Sequence, residues 1–233
     1  MRLALALLPL LAGCDILFQL REVNPEGDAL VITEASVDVP PRCPYADNFD
    51  DNTIASTWTL FDPSQVQAVV SEREKMLDIA LRNDIDDAYN GISTVDPLDL
   101  ASKIARVTVY PMYEGGWYEA VFEIRMDDFN SVFVQTGAGS LTYAVVTDGI
   151  RTMSSPLTYD PDRHRHWQIR NDSVAHLVYF EVSGDSVNFD TLASVVVSWS
   201  FSSVHVRLFA GTFQPGGPNP GSARFDDFSV CPP

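Results

Sequence analysis

The chain has 233 residues, 45% hydrophobic and 20% charged, which is enough apolar material for one domain with a sizeable core. Fifteen Lys and Arg stand against 32 Asp and Glu, for a net charge of −17. That balance disfavours nucleic acid as a partner, because phosphate binding draws on clustered basic residues and the longest basic run here is the mixed Arg163-His164-Arg165-His166. Divalent cations and neutral ligands suit it better.

Residues 1–13 open with Arg2, run through an apolar centre from Leu3 to Leu11 and close on Ala12-Gly13, the layout of an export signal. The apolar centre is too short to span a bilayer as a helix, and Pro9 sits badly inside a short one. Leu11-Ala12-Gly13-Cys14 resembles the lipobox of bacterial lipoproteins. The resemblance implies cleavage before Cys14, acylation of that cysteine and a membrane-anchored protein on the periplasmic or cell-surface face. Each buried methylene adds about 0.8 kcal/mol, so several acyl chains anchor durably. Loss of Arg2 with the leader makes the mature chain one unit more negative.

Residues 14–42 then form a lipidated cysteine and spacer, with a Pro25-Glu26-Gly27-Asp28 turn, a short strand at Leu30–Ile32 and an exit at Pro40-Pro41. With Cys14 acylated, Cys43 and Cys231 remain as an even pair in an oxidising compartment, and a disulfide is expected. Free thiols and a zinc pair are the alternatives, and zinc would need further ligands close by.

Residues 43–233 read as one all-β domain. Alternation of period two is clearest at 105–110 and 117–125, where Tyr118, Ala120, Phe122 and Ile124 share one side and are expected to face the core. Similar segments recur at 132–135, 141–147, 166–170, 177–182, 195–200, 204–209 and 223–230. The stretch 71–82 reads as a helix or, through alternation over 76–81, as a strand. At least eight strands with this spacing predict a two-sheet antiparallel sandwich. Residues 214–221, rich in Gly and Pro, form a loop before the last strand.

Three stretches carry a resemblance to concanavalin A-like jelly-roll domains, the laminin G-like and glucanase group. They are Tyr45-Ala46-Asp47-Asn48-Phe49-Asp50-Asp51 with Trp58; 159–170 with 178–189; and Arg224-Phe225-Asp226-Asp227-Phe228-Ser229-Val230. The resemblance implies first and last strands side by side, which would bring Cys43 near Cys231. It also implies a structural calcium held by Asp50 with Asp226 or Asp227, since calcium takes six to eight oxygen ligands.

The glucanases of that group use a Glu-x-Asp-x-x-Glu strand, which is absent. Glu119, Glu123 and Asp127 lie four apart, about 13 Å on a strand, against the roughly 5 to 10 Å between glycosidase carboxyls. Moreover, Glu119 and Glu123 read as the solvent side of a half-buried strand. His164 and His166 could point the same way but lack a third metal ligand, and no Gly-x-Ser-x-Gly elbow is present. Tyr113, Trp117, Tyr143 and Trp199 are candidate ligand-stacking aromatics. The resulting expectation is a non-catalytic, lipid-anchored envelope protein whose lectin-like domain binds a glycan or a cell-surface protein. The alternatives are a glycoside hydrolase or lyase with an atypical site, and a purely structural or adhesion component.

Overall fold

Alternation along the chain becomes sixteen strands and no helix among the described residues. The structure is a computed structural model; it describes residues 43–61, 63–64, 66–82, 88–112, 118–212 and 221–233. All of these belong to the second of two units, Met1–Val39 and Pro40–Pro233, into which contacts divide the chain. The leader, Cys14, the spacer strand, Tyr113 and Trp117 lie outside the described residues.

In chain order the strands are β1 (Tyr45–Asp47), β2 (Trp58–Leu60), β3 (Ala68–Arg73), β4 (Met76–Leu81), β5 (Ala88–Thr94), β6 (Ile104–Met112), β7 (Tyr118–Arg125) and β8 (Ser131–Gly137). They continue with β9 (Ser140–Thr147), β10 (Ile150–Met153), β11 (Leu157–Thr158), β12 (His166–Asp172), β13 (Leu177–Ser183), β14 (Asp190–Val196), β15 (His205–Thr212) and β16 (Ser222–Cys231). The first sheet runs β14-β13-β12-β6-β16-β4-β3 with β1 beside β16; the second runs β10-β9-β8-β7-β15-β5-β2 with β11 beside β9. All pairings are antiparallel. The described residues form a two-sheet jelly-roll sandwich.

Between the sheets lies one apolar core that includes Trp167, Phe122, Phe180, Phe225, Leu77 and Ile79, all fully buried. Ala120, Phe122 and Ile124 of β7 join it, and Tyr118 is buried on the same side, as the alternation required. The ambiguous 71–82 stretch is a hairpin. Glu74 and Lys75 take φ of 54° and 62° and turn β3 back onto β4. Two consecutive left-handed residues match the right-handed twist of paired strands, so the turn forms although neither residue is Gly or Asn.

First and last strands are neighbours. Tyr45 pairs with Val230 and Asp47 with Phe228, and Cys43 and Cys231 are bonded with Cα atoms 4.3 Å apart.

Candidate active site

Strand alternation leaves one face of the second sheet pointing away from the core. From β7 that face carries Glu119, Val121, Glu123 and Arg125, because Tyr118, Ala120, Phe122 and Ile124 point inward. Register then determines their neighbours: Glu119 lies opposite Gly137 and Gly211, Val121 opposite Gln135 and Phe209, and Glu123 opposite Phe133 and Arg207. Tyr89 lies beyond Gly211, on β5. These strands frame a depression of about 290 Å³ lined by Phe61, Tyr89, Glu119, Glu123, Arg151 and Arg207 among others. It adjoins a second depression through Glu119 and Gln135, and a third through Phe61, Arg125 and Arg207. The result is a groove crossing the sheet from β9 to β2.

Glu119 occupies the centre and is 8% exposed. The Tyr89 hydroxyl donates to its Oε2 at 2.7 Å and Gln135 Nε2 donates to its Oε1 at 2.9 Å. Burial pushes its carboxyl above the ordinary range, opposed by Tyr89, by the Arg151 charge and by Gln135. Missing side chains make room for this arrangement. A Cβ on Gly211 would stand 2.3 Å from the Tyr89 ring, and one on Gly137 would stand 2.9 Å from Glu119 Cγ. Glu123, 5% exposed, is ion-paired to Arg207 at 2.9 Å. Arg207 in turn lies over the Phe61 ring at 3.8 Å, and Phe61 packs against Phe209. A third buried strand glutamate, Glu181 on the outer face of the other sheet, provides the contrast. Burial raises its carboxyl, but Arg170, Gln168 and Thr191 hold it below the ordinary range overall. Glu119, unlike Glu123 and Glu181, has no ion pair among the described residues, and unlike Glu181 it holds a raised pKa.

The other candidate residues fall elsewhere. Tyr143 shares the inward side of β9 with Leu141 and Val145, and its ring stacks on Phe180 at 4.8 Å. Trp199 stacks on Phe201 at 4.4 Å and packs against the core. Both are therefore core rings rather than groove rings. His166 Nδ1 meets the Thr108 hydroxyl, whereas His164 Nδ1 accepts from the Asp160 backbone N–H, so the two imidazoles have separate partners.

Asp226 and Asp227 sit at a break in the β16–β6 register, where Asp227 takes φ of 48°. Burial raises the Asp226 carboxyl; the Asp227 N–H opposes this, and the charges of Asp227 and Asp50 add to it. Among the described residues no group of three or more His, Cys, Asp or Glu is arranged to hold a metal ion.

A neighbouring acid was missed by sequence reasoning. Glu72, the penultimate residue of β3, is 7% exposed; it accepts from the Thr53 N–H at 3.0 Å through Oε2, while its Oε1 has no hydrogen-bond partner. Burial and a hydrogen bond with Asp51 push its carboxyl up to about 7 against the pull of Thr53, with the Asp47 and Asp51 charges adding to the rise. The folded state thus binds a proton that the unfolded state, with its value of 4.5, has released, so stability is lost as pH rises from 4.5 to about 7. Glu72→Gln is expected to stabilise the domain by about 1–2 kcal/mol at pH 8 and to leave it unchanged at pH 4, read from denaturant midpoints at the two pH values. Equal midpoints at pH 8 would show that burying this carboxylate costs nothing.

No family model and no curated protein matches the chain. Solved structures do. An endo-β-galactosidase of Clostridium perfringens that releases GlcNAcα1-4Gal superposes with a TM-score of 0.62 at 10% identity, over 82% of this chain and 62% of its own. A glycosyl hydrolase family protein of Mycobacterium fortuitum gives 0.60 at 14% identity, over 81% and 99% of the two chains. An immunostimulatory antigen and pseudo β-1,3-glucanase of Mycobacterium tuberculosis gives 0.60 at 15%, over 82% and 99%.

Likeness at these identities establishes the fold, the β-sandwich of glycosidase-type jelly rolls. It also corrects the expectation of a non-catalytic lectin-like protein, since glycoside hydrolases recur among the structures that share this fold. The physical reason for the correction lies in β7. Its outward glutamates are not a solvated surface but the buried floor of a groove.

Proposed function

We propose that the chain is a carbohydrate-processing enzyme that cleaves glycosidic bonds in the groove of the second sheet, with Glu119 as proton donor. The observation that carries this reading is a buried carboxyl of raised pKa, oriented by Tyr89 and Gln135 in a depression walled by Phe61, Tyr89 and Phe209. A carboxyl that holds its proton above the ordinary carboxylate range is better placed to protonate a leaving glycosidic oxygen. Rings and a few convergent polar groups suit a sugar, which has apolar C–H faces and hydroxyl edges. The arrangement departs from the usual pair of carboxylates: Glu123 is four residues away, about 13 Å along the strand, and is tied to Arg207. The test is release of new reducing ends, which reports hydrolysis and elimination alike, from a panel of plant, bacterial and mucin-type glycans. Release from at least one glycan class, lost in Glu119→Gln, is expected; no release from any would overturn the reading.

We propose further that the enzyme works at a bacterial envelope, held by lipid on Cys14. The Leu11–Cys14 tetrapeptide supports this, and the Cys43–Cys231 bond accords with an oxidising compartment. Cells fed labelled palmitate should label the chain and not Cys14→Ala; an unlabelled wild-type chain would refute the anchor.

A further inference from the structure

We propose that the glycan accepted by this groove carries an acid group, a uronate carboxylate or a sulfate ester, and that Arg151 is the side chain that recognises it. The inference rests on the reading of the groove as a glycan site. Acids outnumber bases by more than two to one in the chain, 32 to 15, yet the central depression is lined by three arginines and two glutamates. A protein this acidic repels anions, so a guanidinium without an ion pair at the edge of this groove is a local device.

The three arginines are not equivalent. Arg207 is paired with Glu123, and Arg125 with Asp128. Arg151 is exposed and has no carboxylate within ion-pair distance among the described residues. Its guanidinium lies over the Phe133 ring at 4.7 Å, and its Nη2 donates to Gln135 Oε1 at 3.0 Å. These contacts use the π-face and one donor, and they fix the plane of the group. The remaining donors of the fork are left for a planar or tetrahedral oxyanion, the ligand for which a preorganised arginine is best suited. Gln135 links this guanidinium to Glu119, placing the acid group of the sugar one residue's reach from the proton donor. Burial pushes the Glu119 carboxyl toward its neutral form, which weakens the nearby charge that would repel an acid sugar.

The experiment is binding of three oligosaccharides to the full chain by titration calorimetry: hexagalacturonate, a sulfated galactan hexasaccharide and neutral cellohexaose. At low salt at least one acid probe is expected to bind about tenfold tighter than cellohexaose, and the preference should shrink as salt rises. Which acid probe wins separates uronate from sulfate. Arg151→Ala should erase the preference and Arg151→Lys retain part of it; because Arg151 is exposed, both variants should melt with the wild type. Cellohexaose binding as tightly as both acid probes, a preference that survives Arg151→Ala, or no binding of any probe would each overturn the inference. Cleavage confined to neutral glycans would overturn it and leave the enzyme standing. A preference for acid probes without cleavage of any glycan would do the reverse.

Discussion

Loss of the Cys43–Cys231 bond is expected to cost the domain up to about 5 kcal/mol, the loop-closure entropy of a cross-link spanning 188 residues. The bond encloses nearly the whole sandwich, so its removal enlarges the unfolded ensemble as much as any single cross-link here could. The folded state suffers as well. β1 is three residues long and among the described residues pairs only with β16, while β16 lies between β6 and β4 in the middle of its sheet. β1 in turn holds Asp47, whose carboxylate accepts the Phe49 N–H at 2.9 Å and the Trp58 indole N–H at 2.8 Å. Trp58 meets Phe228 edge-on at 5.0 Å. Freeing the first strand therefore loosens an aromatic cluster that closes one end of the core. The paired Cys43→Ala, Cys231→Ala variant should melt about 10–20 °C lower than the wild type, and the wild type treated with reductant should follow it. A fall of less than about 2 °C would mean that strand pairing alone holds the ends together.

Much of this fold could be read along the chain because its signal is local. Alternation in 117–125 assigns each side chain of β7 to a face, and that assignment holds from Tyr118 to Arg125. The groove is not local. Its floor depends on Tyr89 and Arg207, which lie 30 and 84 residues from their glutamate partners and arrive through the pairing of β15 with both β5 and β7. Period two tells that Glu119 and Glu123 point outward; it cannot tell that a tyrosine and an arginine from other strands fold over them. One sequence cue was available. Gly91, Gly137 and Gly211 interrupt strands at outward positions, where a strand glycine marks close approach of another group. The short β10 and β11 escaped notice for the opposite reason: all their residues are exposed, so no apolar alternation marks them. Tyr143 was legible by the same parity that placed Leu141 and Val145 inside, and its aromatic character alone suggested a ligand contact.

Glu119→Gln is expected to lower glycan cleavage by two to four orders of magnitude, the usual contribution of a positioned general acid, while the melting temperature stays close to that of the wild type. Glutamine preserves the shape and can still accept from the Tyr89 hydroxyl, but it has no proton to donate. The pH profile sharpens the test. Activity that needs the protonated carboxyl declines as pH rises through its pKa, so the alkaline limb should lie above the ordinary carboxylate range, because burial raises that value. Tyr89 opposes burial by donating to the carboxylate form. Tyr89→Phe therefore removes a downward pull, and the alkaline limb should move to higher pH even if the rate at the optimum falls. A tyrosine serving only as packing would change the rate without moving the limb. Glu119→Gln activity within about threefold of the wild type, or an alkaline limb that stays in place in Tyr89→Phe, would remove Glu119 from the role of proton donor, because neither result is compatible with a rate governed by that carboxyl.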